Sequence, residues 1–165
     1  MIQSLTRGMR KVAAAAVALA LFVAPSHAQG PSAVYVMGED DYGDMKACNL
    51  TFASAISAVE AALRYNGVSV ASREDAMSQR ALRAYVNLIA LNDPTGCAAY
   101  VKIEFSTSQF VNLPSSLGLG PGRYGLVKLC DNGSLFIGPA YDLQSRVNSV
   151  LRDFTDQCIS TISKP

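Results

Sequence analysis

The hydrophobic pattern of this chain switches between two periods, and each switch marks an element. Ala33-Val34-Tyr35-Val36-Met37 is a short apolar run of strand composition, ended by the acidic segment 39–44. Cys48, Phe52, Ile56, Val59 and Leu63 then recur at helical spacing, which predicts an amphipathic helix with Lys46, Glu60 and Arg64 outside the stripe. Asn66-Gly67 stops it, because glycine accepts the left-handed backbone that ends many helices. Residues 68–71 fit a short strand. Ser72 followed by Asp75 reads as a helix cap, giving a short helix over about 73–82 and a strand over about 84–91.

Asn92-Asp93-Pro94-Thr95-Gly96 is a strong turn. From Tyr100 the alternation is clean, with Val101, Ile103 and Phe105 on one face and Tyr100, Lys102, Glu104 and Ser106 on the other. Residues 112–122 are a Gly/Pro/Ser-rich loop. Asp131-Asn132-Gly133 between two apolar runs predicts a hairpin turn. Asp142 then caps a last helix whose stripe is Leu143, Val147, Leu151, Phe154, Cys158 and Ile162. The order predicts an α+β fold, a mostly antiparallel sheet of about five strands covered on one face by two amphipathic helices and stapled by disulfides.

The N-terminus changes where this domain is placed. Arg7, Arg10 and Lys11 precede an uncharged run from Val12 to Ala24, and Ser26-His27-Ala28 offers a small-x-small cleavage site. The run is too short for the roughly 20 residues of a spanning helix. Residues 1–28 therefore read as a cleaved signal peptide and 29–165 as one exported domain, periplasmic or extracellular, with no stable membrane insertion after cleavage. Cleavage removes three of the 14 basic residues and none of the 13 acidic ones, so the net charge shifts from +1 to near −2. The remaining basic residues are scattered singly, which is not the footprint of a nucleic-acid binder.

Export places all four cysteines where disulfides persist. On this pattern Cys97 opens one strand and Cys130 closes its antiparallel neighbour, while Cys48 and Cys158 sit near opposite ends of two helices. Antiparallel helices would bring those ends together, so the expected pairs are Cys97–Cys130 and Cys48–Cys158. No Cys-x-x-Cys is present and no histidine neighbours a cysteine, so a structural role outweighs redox chemistry.

His27 is the single histidine and leaves with the signal peptide, which removes Ser-His-Asp, Cys-His and His-ligated zinc chemistry from the mature chain. Gly120-Pro121-Gly122-Arg123-Tyr124-Gly125 has dinucleotide-binding spacing but follows a loop and enters a strand, the wrong context for a phosphate cradle. Glu39, Asp40, Asp41 and Asp44 form a weak calcium candidate without EF-hand spacing. No cofactor is called for. The inventory leans against an enzyme and towards a non-catalytic domain that binds an envelope or protein partner or assists envelope assembly. Its candidate contacts are Leu113, Leu117 and Leu119, in a loop otherwise made of turn residues, with Arg123 and Tyr124 following it. The alternative is a small envelope hydrolase using an Asp/Glu pair. Intact-mass measurement of exported protein should give a chain beginning at Gln29; retention of residues 1–28 would refute the leader.

Overall fold

The computed structural model describes residues 32–39, 42–78, 81–111 and 123–164. Its elements in chain order are β1 (Ala33–Gly38), β2 (Tyr42–Gly43), α1 (Phe52–Tyr65), β3 (Ser69–Val70), α2 (Arg73–Met77), β4 (Leu82–Asp93), β5 (Gly96–Val111), β6 (Arg123–Gly138) and α3 (Ala140–Ile162). Among the described residues the strands form one sheet in the order β3-β1-β4-β5-β6, with β2 also paired to β4. The α+β architecture is as expected, but the sheet is mixed. β4, β5 and β6 are antiparallel, whereas β1 runs parallel to both β3 and β4. A parallel neighbour needs a crossover, and α1 supplies one between β1 and β3.

Alternation decides which face is buried. Ala84, Val86, Leu88 and Ala90 of β4 and Cys97, Ala99, Val101, Ile103 and Phe105 of β5 all point to one side. There they meet Val59 and Leu63 of α1 and Leu143, Val147 and Leu151 of α3, all fully buried. α1 starts at Thr51, whose hydroxyl accepts from the Ser54 N–H, and ends at Asn66 before Gly67, whose φ is +72°. Cys48 therefore lies in the turn before α1 rather than on its stripe. α2 carries the expected capping box between Ser72 and Asp75 but ends at Met77, sooner than its spacing suggests. In α3 the N-cap is Pro139, and Asp142 sits inside the first turn.

Three hydrogen bonds tie α1 to α3 and fix their direction. The Thr51 N–H donates to Gln144 Oε1 at 2.6 Å and Asn148 Nδ2 donates to Ser54 Oγ at 2.9 Å, both near the helix starts. Asn66 Nδ2 donates to Asp156 Oδ1 at 2.6 Å, towards the ends. The contacts ascend together along both helices, so α1 and α3 run the same way.

Strand β6 departs furthest from expectation. Asp131-Asn132-Gly133 is no turn; β6 runs straight through it, and these residues pair with Glu104, Ile103 and Lys102 of β5. Each has a role that outweighs its turn preference. Asp131 joins an ion cluster, Asn132 Nδ2 lies 3.6 Å from Cys158 Sγ, and the Tyr100 hydroxyl closes over Gly133. The register slips by one residue nearby: Phe105 faces Cys130 but Ser106 faces Lys128, leaving Leu129 as a bulge. The slip reverses the alternation, so Lys128 lies on the uncovered face and Cys130 on the helix face.

These two facts correct the cysteine pairing. The disulfides are Cys48–Cys97 and Cys130–Cys158, with Cα–Cα distances of 5.7 and 5.6 Å. Cys97 pairs with Gly138 and Cys130 with Phe105, which separates them by eight residues of strand, roughly 26 Å. Cys48 precedes α1 while Cys158 lies near the end of α3, and parallel helices keep those ends apart. The closed loops span 49 and 28 residues, each stabilising by about 4 kcal/mol in the chain-entropy picture. Peptide mapping without reduction should recover both pairs. Replacing Cys130 and Cys158 together by Ser should lower the unfolding free energy by about 2–4 kcal/mol in a denaturant titration.

Candidate functional site

Both long helices lie on one side of the sheet, so the other side is open among the described residues. Its side chains come from the opposite parity: Tyr85, Asn87, Ile89 and Leu91 of β4, Ala98, Tyr100, Lys102 and Glu104 of β5, and Lys128, Asp131, Leu135 and Ile137 of β6. The pairing register aligns them in rows. Ile89, Tyr100 and Leu135 face one another across three strands, and so do Leu91, Ala98 and Ile137. Opposed side chains within a row stand about 5 Å apart, and the rows lie two residues apart along each strand, roughly 7 Å, within reach of side chains this long, so they form one apolar patch. Leu91, Leu135 and Ile137 are 64, 62 and 72% exposed. Apolar patches of this kind with a polar border mark contact surfaces.

The polar border is a four-residue ion cluster in the middle of the face. Lys102 Nζ is 3.1 Å from Glu104 and 3.5 Å from Asp131; Lys128 Nζ is 3.1 Å from Glu104 and 3.4 Å from Asp131. The Leu129 bulge makes this square, because a regular strand would send positions 128 and 131 to opposite faces. Burial pushes the Glu104 carboxyl up, but hydrogen bonds from Lys128 and Lys102 outweigh it and hold it below its ordinary 4.5. The hydrogen bond from Lys128 likewise holds Asp131 below 3.8, and the bond to Glu104 raises Lys128 above 10.5.

The residues singled out from the sequence distribute as follows. Leu113, Leu117 and Leu119 lie outside the described residues. Arg123 and Tyr124 open β6, paired with Val111 and Phe110; their side chains are outside the described set. That end of the face carries Leu126, opposite Ser108, ten residues along β5 and roughly 33 Å from Ile137 opposite Ala98. The strand ends at Val111 and Arg123 and the apolar patch are thus at opposite ends. Asp40 and Asp41 are outside the described residues. Glu39 is exposed after β1, and Asp44 spends its carboxylate on the Asn92 N–H at 2.9 Å, pinning β2 to β4. Among the described residues no three His, Cys, Asp or Glu side chains gather as metal ligands, and no helix is long and apolar enough to cross a membrane.

The patch had a signal in the sequence. Leu88-Ile89-Ala90-Leu91 and Leu135-Phe136-Ile137 are continuous apolar runs. A strand apolar at every position is apolar on both faces, and helices on one side leave the other uncovered.

No model of a protein family matches the chain, and no curated protein matches it. Among solved structures it is similar to two PelC dodecamers from Paraburkholderia phytofirmans. One, a single-substitution variant in space group C2, gives a TM-score of 0.44 at 17% identity over 83% of this chain and 96% of that one. The other, in space group P6, gives 0.40 at 20% identity over 81% and 94%. Likenesses this distant carry no argument about what this chain does.

The ion cluster has a pH signature. The two lowered carboxyls stabilise the fold above their unfolded pKa values and lose that contribution as pH falls through the folded ones. Lys128, raised, contributes below 10.5 and loses its contribution as pH rises through its folded value. Glu104→Gln should therefore melt below wild type at pH 7, and the two melting temperatures should converge in acid once Glu104 itself is protonated. A gap that persists there would mean that the cluster is not its source.

Proposed function

We propose that this chain is an exported, non-catalytic domain that binds a macromolecular partner across the uncovered face of its sheet. The observation that carries the reading is the alignment of Ile89, Tyr100 and Leu135 beside Leu91, Ala98 and Ile137, an apolar surface continuous over three strands. Helices bury the other face of β5 from Cys97 to Phe105, so the core has no need of this one. A partner that covers the patch gains roughly 25 cal/mol for each Å² of apolar area removed from water. The charge-balanced cluster beside it would set orientation more than affinity.

Export rests on the leader-like residues 1–28 and is consistent with two disulfides in a chain without a described membrane-crossing helix. The hydrolase alternative draws no support from the carboxylates that stand together. Glu104 and Asp131 are adjacent across the β5–β6 ladder on an open surface, and each is held by two lysines. Both carboxyls are lowered, whereas an acid–base pair needs its two pKa values pushed apart, with the acid raised.

The test is affinity capture from the native envelope with three versions of the protein. The double variant Leu135→Ser and Ile137→Ser should lose the partner captured by wild type. Its stability should change by under about 0.5 kcal/mol, because both side chains are mostly exposed. A Leu117→Ser and Leu119→Ser variant separates the loop from the face. Loss of capture there, with the Leu135 and Ile137 variant unaffected, would move the site to the 112–122 loop.

A further inference from the structure

The second surface lies on the far edge of the sheet, along β1. β3 pairs with β1 only at Ala33 and Val34. The Ser69 and Ala71 N–H groups donate to the carbonyls of Ser32 and Val34, so even-numbered residues of β1 turn their main-chain groups to this edge. By the same alternation Val36 and Gly38 turn N–H and C=O outward, and no described strand pairs with them there. Beside this stretch is a cavity of about 610 Å³. Phe52 and Ile56 of α1 form its apolar wall. A methyl group at Gly38 would collide with the Phe52 ring and the Val86 carbonyl, so the glycine is what lets the ring lie on the strand. The lining also holds Met77 of α2 and two cations, Arg73 and Arg83. Arg83 donates to the Ala76 carbonyl at 3.4 Å, which holds its guanidinium at the α2 end of the cavity. No carboxylate is among the described residues lining it.

Three features specify the ligand. A strand edge with outward N–H and C=O groups pairs with an extended backbone. An apolar wall takes a side chain. Two guanidiniums without a lining carboxylate take an anion, and carboxylate is the anion whose geometry they match. The Ala71 N–H donates to the Val34 carbonyl and α2 begins two residues later, at Arg73, in contact with β1, so a strand added along Val36–Gly38 has to end there. We propose that this groove captures the C-terminus of an extended peptide, antiparallel to β1. The last apolar side chain packs on Phe52 and Ile56, and the terminal carboxylate lies between Arg73 and Arg83. The cavity has the size of small-ligand sites, enough for the last few residues of a chain. This site shares no residue with the Leu91–Ile137 patch, so either reading stands without the other.

The probe is a fluorescein-labelled hexapeptide of alternating threonine and valine ending in valine, with a free carboxylate, compared with its C-terminally amidated twin. Fluorescence anisotropy on the purified protein should show the acid binding at least about tenfold more tightly, the scale of one charge-assisted pair. Arg73→Gln should abolish that preference without altering binding of the amide. Its side chain is exposed and forms no hydrogen bond or ion pair among the described residues, and a thermal melt checks that the fold does not need it. Arg83→Gln is the second variant, judged on the acid-to-amide ratio, which a loss of stability alone does not move. Bound peptide should slow hydrogen exchange at the Val36 and Gly38 amides. Equal binding of acid and amide, or no binding by about millimolar peptide, would overturn the proposal. So would decanoate binding in place of the peptide with exchange at Val36 and Gly38 unchanged, which would make this a fatty-acid pocket.

Discussion

Every other element takes its place from β5. It pairs with β4 from Gly96 to Ser106 and with β6 over nearly its whole length, and its odd-numbered residues from Cys97 to Phe105 lie at or near zero exposure under the helices. A slip of one residue would carry all five to the open face, so the strand has one acceptable register. β6 has to answer two demands against that fixed rule. Its first half presents Lys128 to Glu104 on the open face, and its second half presents Cys130 to α3. Leu129 reconciles them by dropping out of the pairing.

Much of this was legible in the residues. The alternation of 100–105, the stripe ending at Asn66-Gly67, the capping of α2 by Ser72 and the turn at 92–96 all depend on local chemistry and appear where that chemistry puts them, whereas Ser106, expected on the wet face, is buried. What was not legible depends on partners distant in sequence. Asp131-Asn132-Gly133 is a strong hairpin signal when read alone. It becomes strand because Lys128, Cys158 and Tyr100 each engage one of its three positions, and no local pattern announces that. Helix direction was hidden for the same reason, since it rests on Thr51–Gln144 and Asn66–Asp156 contacts some ninety residues apart.

The candidate surfaces divide along the same line. Apolar runs at 88–91 and 135–137 announce strands greasy on both faces, so the patch was within reach of the sequence once the helices were known to cover one side only. The ion cluster was not, because positions 128 and 131 share a face only through a bulge. Nor was the β1 groove. It exists because β3 is two residues long, leaving the outer edge of Val36 and Gly38 without a described partner strand, and because Gly38 lets Phe52 lie against the strand.

The disulfides join the first cysteine to the second and the third to the fourth, so the two loops follow one another without nesting or crossing. That order matters to a chain that crosses a membrane N-terminus first, as export would require. Cys97 emerges to find Cys48 as the single earlier thiol, and an oxidant that joins thiols as they appear makes the correct bond. Cys130 and Cys158 then have only each other. Such a protein needs an oxidase on the far side of the membrane but no isomerase to undo wrong pairs. The nested alternative would have held Cys48 unpaired until nearly the last turn of α3 had emerged.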